Sequence, residues 1–235
     1  MKKNAFLLFS IILLACSKQE NINTGITVAT TSKSLYKGDQ FQIKAISDLD
    51  ILFESEDEFH ATVTDNGLVT AGYVGNTTIL ISNEIYNIQH SIKVNPRYTL
   101  YPDPLLDFKL TKEEFITLLG APNEYSENFI KYNNYSDASN FISYTFNKEN
   151  KLEYVRVLVN KNNYEDLVLD FLNERYVLQG TVAYEELGSG TLYCNNFKKS
   201  TATLSVFVYN FDATNYAVLY FPTSKTASAL KLLSK

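Results

Sequence analysis

Short runs of alternating apolar and polar residues fill residues 25–95, and this pattern restricts the fold more than any other feature of the chain. Because successive side chains of a strand point to opposite faces, such runs predict strands with one buried face. Turn-forming residues such as Lys37-Gly38-Asp39 separate the runs, which is typical of an antiparallel sandwich. The alternating apolar positions are Ile26, Val28, Phe41, Ile43, Ala45, Ile79, Ile81, Ile92 and Val94.

One pair of residues predicts a sharp turn inside this stretch. Asn66 and Gly67 lie between Val63 and Leu68. An Asn-Gly pair suits a tight hairpin because both residues tolerate positive φ. We therefore expect two strands to meet at this turn.

Several segments of residues 25–96 follow one another in the order typical of a known family. They are Leu35-Tyr36-Lys37-Gly38, Phe53-Glu54-Ser55-Glu56, Ala61-Thr62-Val63, Asp65-Asn66-Gly67-Leu68-Val69-Thr70 and Gly75-Asn76-Thr77-Thr78-Ile79. With these motifs the stretch resembles bacterial Ig-like domains of group 2, although Phe53 stands where that family usually carries a Trp. The resemblance implies an all-β Ig-like sandwich that serves as an adhesive module or as an extracellular spacer. It does not choose between these roles.

The start of the chain predicts export and attachment to a membrane. Lys2 and Lys3 precede an apolar run over residues 5–14, which is too short to cross a hydrocarbon layer of ~30 Å as a permanent helix. Leu13-Leu14-Ala15-Cys16 resembles a bacterial lipobox, which implies acylation of Cys16. The alternative is a simple signal peptide with a chance cysteine. Residues 1–16 are thus interpreted as a lipoprotein signal that ends in a lipidated Cys16.

A polar stretch follows the predicted lipid attachment. Residues 17–24 contain no aromatic side chain and predict a flexible tether. Acyl chains hold a protein on a membrane because each buried methylene contributes roughly 0.8 kcal/mol. We therefore expect the membrane to be a partner through Cys16, and the protein to lie in the cell envelope, at the outer membrane or the cell surface.

Charge and cysteine content exclude several classes of partner and bond. The chain carries 26 acidic and 21 basic residues, and its net charge of −5 argues against nucleic acid or an anionic lipid surface as the main partner. Cys16 and Cys194 are the only cysteines. If Cys16 is acylated, no disulfide can form within the chain, so each domain depends on its hydrophobic core.

Residues 97–235 change pattern and predict an α+β domain with an antiparallel sheet. Thr111 and Glu114 match a capping box, and the helix that follows should end at Gly120. A second helix is expected over residues 164–176, capped by Asn163. The side chains expected to be buried by the two helices are Phe115, Leu118, Leu119, Leu167, Val168, Phe171 and Leu172.

Strand-like runs fill the rest of this domain, and Asn147-Lys148-Glu149-Asn150 predicts a hairpin loop. A short helix over residues 225–233 is expected to close the chain. The order suggests two αβββ repeats, and residues 118–157 are similar to repeats in small envelope lipoproteins and β-lactamase-inhibitor-like folds. That similarity implies a domain that grips another protein, and generic α+β packing is the alternative. The predicted strands cover residues 129–132, 141–146, 152–159, 182–187, 190–195, 202–209 and 216–221.

The distribution of chemically active residues argues against an enzyme. His60 and His90 both lie in the first domain, so the second domain lacks Ser-His-Asp, Cys-His and histidine-bearing zinc arrangements. Cys194 lies in a strand-like run and is interpreted as a buried core residue. We expect no catalytic residues, no cofactor and no metal site.

An aromatic and asparagine-rich segment is the best candidate for recognition. Tyr132 and Tyr135 are expected to offer rings, and Asn133, Asn134 and Asn140 to offer amide hydrogen bonds, which together suit a sugar ring or a peptide. The alternative is that Tyr132 belongs to the core and the asparagines to a loop.

Two functions follow from these patterns. One is a non-catalytic, lipid-anchored envelope protein that adheres or binds a glycan or protein. The other is an envelope assembly or inhibitor protein that faces the periplasm and binds another protein through its α+β domain.

Overall fold

The structure, a computed structural model, describes residues 24–185 and 187–225. The described chain is mostly β-structure. Its N-terminal strands are β1 (Thr27–Val28), β2 (Ser32–Tyr36), β3 (Gln40–Gln42), β4 (Ala45–Ile46), β5 (Leu52–Ser55), β6 (Ala61–Val63), β7 (Leu68–Ala71), β8 (Gly75–Ser82) and β9 (Asn87–Asn95). The elements that follow are α1 (Lys112–Leu119), β10 (Glu124–Tyr125), β11 (Phe129–Ser136), β12 (Ser139–Phe146), β13 (Leu152–Asn160), α2 (Lys161–Asn173), β14 (Val177–Tyr184), β15 (Gly188–Cys194), β16 (Leu204–Asn210) and β17 (Asn215–Pro222).

Two N-terminal sheets enclose one core. A four-stranded sheet has the order β2-β9-β8-β5, a three-stranded sheet has the order β3-β7-β6, and β1 pairs with β4. All nine alternating apolar positions predicted from the sequence lie in this core or pack against it. The pairings are antiparallel except for β2 with β9, which run parallel and therefore differ from the predicted all-antiparallel arrangement. The fully buried members are Leu35, Ile43, Ala61, Val69, Ala71, Ile79, Ile81, Ile92 and Val94.

The predicted hairpin at Asn66-Gly67 is confirmed in its position, but of this pair only Gly67 has a positive φ. It joins β6 to β7, which pair antiparallel, and Gly67 has a φ of 80°. A Cβ atom at Gly67 would lie 2.9 Å from Cζ of Phe53, so the turn needs glycine both for its backbone angle and for this contact. Phe53 itself packs against the N-terminal core.

The C-terminal strands form one eight-stranded antiparallel sheet with the order β10-β11-β12-β13-β17-β16-β15-β14. The helix α1 precedes the first four strands, and α2 precedes the last four. Each helix is therefore followed by four strands, whereas the predicted αβββ repeat has three; the strand missing from the individual strand predictions is β10, after α1. The two halves meet where β13 pairs with β17.

The two faces of this sheet are covered differently. One face carries the larger core, to which α1 contributes Phe115 and α2 contributes Val168, Phe171 and Leu172. The other face carries a second cluster that includes Tyr154, Leu158, Leu192, Phe207, Tyr209, Ala217, Leu219 and Phe221. We call the first of these the helix face of the sheet.

The first helix begins where the sequence predicts it. Thr111 is the N-cap, its Oγ1 accepts a hydrogen bond from the Glu114 backbone N–H at 3.3 Å, and the Glu114 carboxylate accepts from the Thr111 N–H at 2.7 Å. Phe115 is buried as predicted, but Leu118 and Leu119 are 62% and 40% exposed. Phe115 and Ile116 make the contact with the core, so the helical rotation carries Leu118 away from it, and Leu119 lies at the helix end.

The second helix begins and ends three residues earlier than predicted. Its N-cap is Asn160, whose side chain accepts from the Asn162 N–H at 2.9 Å, and not Asn163. This difference arises because β13 continues to Asn160 and runs directly into the helix. Leu167, expected to be buried, is 37% exposed.

Most predicted strands overlap an observed one, and those at residues 129–132, 141–146, 152–159 and 216–221 are longer in the structure. The strand predicted at 182–187 is misplaced, because β14 already ends at Tyr184 and the chain then turns into β15, and β16 begins two residues later than predicted. The hairpin loop at residues 147–150 joins β12 to β13. The strand β10 was not predicted, because two residues are too few for a recognisable pattern. The predicted lipoprotein signal with Cys16, most of the predicted tether and the helix predicted beyond residue 225 lie outside the described residues.

A buried charged pair connects the C-terminal end of α2 to the N-terminal sheets. The Glu174 carboxylate accepts hydrogen bonds from the backbone N–H groups of Arg97 and Tyr98 at 2.8 and 3.1 Å. Arg175 donates to Glu174 at 2.6 Å and to Asp103 at 3.1 Å. The side chains of Glu174 and Arg175 are only 7% and 8% exposed. Their charges are therefore compensated by each other and by hydrogen bonds within the protein, and not by water. We call these residues and their partners the junction.

Further contacts hold the two sides of the junction together. The Val74 N–H donates to the Glu174 carbonyl at 2.9 Å, and Lys37 Nζ donates to the Asn173 carbonyl at 2.6 Å. Desolvation lowers the pKa of Lys37, and its ammonium lies 3.6 Å from the centre of the Tyr73 ring. These bonds fix the N-terminal sheets on the end of α2.

Candidate binding surface

The two tyrosines predicted for recognition lie on the helix face. Tyr132 and Tyr135 are partly buried and pack against the larger core. The Tyr132 hydroxyl donates to the Gly120 carbonyl at 2.8 Å, and the Tyr135 hydroxyl donates to the Pro102 carbonyl at 2.7 Å. Burial raises the pKa of both phenols. Both hydroxyls thus already have partners in the chain's own backbone.

The predicted asparagines are exposed, and Asn133 does not share that face. Asn133 and Asn134 lie in β11 rather than in a loop, next to a register shift that ends at Ser136. Asn134 has a φ of 52°, a conformation that asparagine tolerates better than most residues. Asn133 lies opposite Phe141, and alternation along β11 places it on the other side of the sheet from Tyr132.

Asn140 is exposed near the start of β12, and its Nδ2 lies 3.4 Å from Oδ1 of Asn215. The sheet therefore places Asn133 on the face opposite to Tyr132 and Tyr135, while Asn134 and Asn140 lie at irregularities of β11 and β12. A joint platform of both rings and all three amides is not assembled. Their separate contributions to binding stay a prediction.

A different apolar surface lies at the end of α1. Leu118 and Leu119 are 62% and 40% exposed, and Tyr125 on β10 is 74% exposed. The hydrogen bond from Tyr132 to Gly120 holds the end of α1 against β11. Tyr125 lies opposite Ile130 of the larger core, so its side chain leaves the sheet on the helix face. We call Leu118, Leu119, Tyr125 and Tyr132 the corner surface.

The sequence pattern did not reveal the corner surface, because apolar residues at the end of an amphipathic helix normally predict burial. The one available signal was the shortness of the helix before Gly120 and Pro122. Exposed leucines and tyrosines at the same edge of the sheet offer apolar area together with hydroxyl groups, a combination enriched where proteins bind partners. The surface can therefore take an apolar side chain or the face of a sugar ring.

The residues that would support catalysis lie apart from the corner surface. His90 is fully buried beside Phe41, and neither ring nitrogen has a hydrogen-bond partner among the described residues. His60 Nδ1 lies 3.0 Å from the Tyr73 carbonyl oxygen, near the junction. Cys194 is buried, 3.9 Å from the Ser205 hydroxyl, and burial raises the pKa of its thiol.

The described part of the chain offers neither a metal site nor a helix that could span a membrane. Between residues 24 and 225, leaving out 186, no three His, Cys, Asp or Glu side chains converge on a position that would hold an ion. None of the helices described in this range has the length and apolar character that a bilayer-spanning helix needs.

Comparisons with known proteins give only distant structural likeness. No family model and no curated protein matches the chain. Among solved structures, the chain is similar to domains 5–6 of the S-layer protein SbsC, with 13% identity, a TM-score of 0.28 and coverage of 87% of this chain and 86% of that one. It is also similar to domains 4–9 of the surface layer protein SbsC, with 12% identity, a TM-score of 0.28 and coverage of 86% and 31%. TM-scores of this size do not establish a shared fold.

Proposed function

We propose that the protein is a lipid-anchored, non-catalytic envelope protein that binds another molecule through the corner surface. The observation that carries this proposal is the exposure of Leu118, Leu119 and Tyr125, which α1 and the edge strand β10 present at one end of the eight-stranded sheet. The lipobox-like residues that end at Cys16 supply the attachment to the membrane. The leucines favour a protein side chain over a sugar as the ligand, since an aliphatic surface offers a sugar no hydrogen bonds.

We further propose that residues 25–96 form a group-2 Ig-like sandwich and residues 97–235 an α+β domain. Two facing sheets around one core support the sandwich, as does the Asn-Gly hairpin. Phe53 stands at the position of the family's Trp and contacts Gly67, so it supplies the large aromatic side chain that the motif requires.

A spacer role for the N-terminal sheets follows from the two ends of β8. Val74, just before the strand, bonds to Glu174 at the junction, and Asn83, just after it, bonds to the Thr24 carbonyl. The eight residues of β8 span about 26 Å at about 3.3 Å per residue. The point where the tether joins and the point where the C-terminal sheet joins are thus separated by the length of a strand.

Protease treatment of intact cells tests where the C-terminal sheet lies. We expect digestion of residues 97–235 without lysis, detected by immunoblotting, if the protein adheres at the cell surface. Protection until the outer layer is opened would contradict surface adhesion. That outcome would favour the second function, a periplasmic assembly or inhibitor protein, and cross-linking to envelope proteins would then identify the partner.

Substitutions in the corner surface test the binding role. We expect Leu118→Ser combined with Tyr125→Ala to weaken binding of a partner by about tenfold or more, since buried aromatic and aliphatic anchors dominate interface energetics. The control is Leu178→Ser, because Leu178 is 55% exposed on β14 at the opposite end of the sheet. The readout is binding to arrays of glycans, envelope proteins and host matrix proteins.

Equal loss of binding in the double variant and in the Leu178 control would contradict the proposal. A second pair, Tyr132→Ala and Tyr135→Ala, tests the segment predicted from the sequence, and only Tyr135→Ala separates it from the corner surface, to which Tyr132 also belongs. Tyr132→Phe and Tyr135→Phe are its matched controls, because they keep the rings and remove only the hydrogen bonds to Gly120 and Pro102.

A further inference from the structure

A second exposed apolar surface lies at the end of the N-terminal sheets where the tether joins. Ile46 and Leu52 are 67% and 69% exposed, and Ile85 and Tyr86 are 58% and 50% exposed. All four side chains are large and exposed to solvent. None of them belongs to the core of the N-terminal sheets or packs against it. We call these four residues the tip surface.

Asn83 holds the parts of the tip surface together. Its Oδ1 accepts hydrogen bonds from the backbone N–H groups of Ile85 and Tyr86 at 3.0 and 2.8 Å. Its Nδ2 donates to the Ser47 hydroxyl at 3.1 Å, beside Ile46. Leu52 lies opposite Ser82, the residue before Asn83. One amide side chain thus fixes the turn and the loop that carry the four apolar residues.

The same amide fixes the point where the chain enters the sheets. Asn83 Nδ2 also donates to the Thr24 carbonyl at 2.9 Å. Thr24 is eight residues from Cys16 in the sequence, a span that reaches at most about 28 Å even when fully extended. A lipid attached to Cys16 therefore keeps Thr24 within that distance of the bilayer, and the tip surface adjoins Thr24 through Asn83.

The remaining geometry favours a lipid surface as the occupant. The tip surface and the junction lie at opposite ends of β8, so contact between the tip and a membrane leaves the C-terminal sheet free. Asp48, Asp50 and Glu84 are exposed near the tip, and their charge opposes anionic lipids. Zwitterionic lipid headgroups carry no such penalty.

We propose that the tip surface rests in the zwitterionic headgroup region of the membrane to which Cys16 is attached. This inference rests on the proposed lipid anchor and adds to it a fixed orientation. Aliphatic side chains with a tyrosine suit the boundary between headgroups and acyl chains, where amphipathic rings are enriched. Insertion of four side chains sets the direction in which the N-terminal sheets leave the membrane.

The chain contains no tryptophan, which makes the test direct. The lipidated full chain carrying Tyr86→Trp is reconstituted into phosphatidylcholine vesicles, with and without bromine atoms on the acyl chains. We expect the indole emission to shift to shorter wavelength and to be quenched by the brominated lipid. Tyr125→Trp, on β10 beyond the junction, is the matched control and should show neither effect.

A second substitution separates insertion from simple proximity. Ile85→Ser in the Tyr86→Trp background should reduce the quenching, while flotation with the vesicles stays unchanged because Cys16 carries the attachment. Ile85 is exposed, so this change leaves the core intact.

Three outcomes would overturn the inference, and flotation distinguishes their causes. Flotation without quenching of the indole introduced at position 86 would leave the lipid anchor standing and show that the tip does not touch lipid. Equal quenching at positions 86 and 125 would show that the protein lies flat on the membrane. Loss of flotation would contradict the proposed lipid anchor at Cys16 and, with it, the proposed contact between the tip surface and lipid.

Discussion

At the scale of single residues, His90 has the most unusual surroundings. It is fully buried, it stacks on Phe41 with ring centres 5.7 Å apart, and neither ring nitrogen is hydrogen-bonded within residues 24–185 and 187–225. Desolvation lowers its pKa in the folded state. The unfolded chain therefore takes up this proton first as the pH falls below about 6.5.

The stability of the protein should consequently fall as the pH drops below about 6.5, because the unfolded state binds more protons there. His90→Leu should remove this part of the pH dependence. His60→Gln should keep it, since His90 is unchanged in that variant. Urea unfolding between pH 5 and pH 8 measures the free energy of unfolding of both variants. If that free energy changes with pH in His90→Leu as it does in the natural protein, the prediction is wrong.

Residue-scale predictions from the sequence succeeded where local pattern decides the outcome. Gly67 at the hairpin, Phe115 in the core and Cys194 in a buried strand all follow from neighbours a few positions away. Tyr132 and Tyr135 depend instead on carbonyl groups 12 and 33 residues away, which no local pattern reveals. For this reason the two tyrosines, whose rings were expected to face a ligand, instead donate their hydroxyl hydrogen bonds to the protein's own backbone.

At the scale of elements, the start of α1 offers a direct test of how much a predicted helix cap contributes to stability. Thr111→Ala removes the side chain that caps the Glu114 N–H and should cost about 1 kcal/mol of stability. Thr117→Ala in the same helix is the matched control, because Thr117 lies in the helix interior and Ala is a better helix former. Chemical unfolding of both variants measures the difference, and equal stabilities would contradict a capping role.

The two helices show how far element boundaries follow from sequence. Thr111 and Glu114 form a specific pair, and α1 begins where that pair predicts. Near α2, Asn160, Asn162 and Asn163 are chemically equivalent caps, and the choice among them depends on where β13 ends. The fourth strand after α1 was missed because β10 gains its pairing only from β11 across a turn.

At the scale of the whole molecule, the junction decides whether the N-terminal sheets and the C-terminal sheet behave as one body. Glu174→Ala leaves the buried Arg175 guanidinium without its partner at 2.6 Å and should cost about 3 kcal/mol of stability. Glu149→Ala, at an exposed hairpin position, is the control and should change little. The measurement is urea unfolding with probes on each side of the junction.

A loss in Glu174→Ala no larger than in the control would contradict the role of the pair. We also expect the variant's two probes to report separate transitions, while the natural protein unfolds in one. The sequence could not predict this junction, since Glu174 bonds to backbone groups 77 and 76 residues earlier in the chain. Composition and periodicity predict the two parts and contain no information about how they are joined.

The parallel pairing of β2 with β9 has a mechanical consequence. Five residue pairs join these strands, from Ser32 with Ser91 to Tyr36 with Asn95. Tension between an anchor at the N-terminal tether and a ligand held on the C-terminal sheet would pull β2 from its start and β9 from its end. Because the strands run in the same direction, this force slides one along the other and loads their hydrogen bonds together. Shear of this kind resists force better than peeling, so the N-terminal sheets should stay folded under a pull that would separate an antiparallel terminal pair.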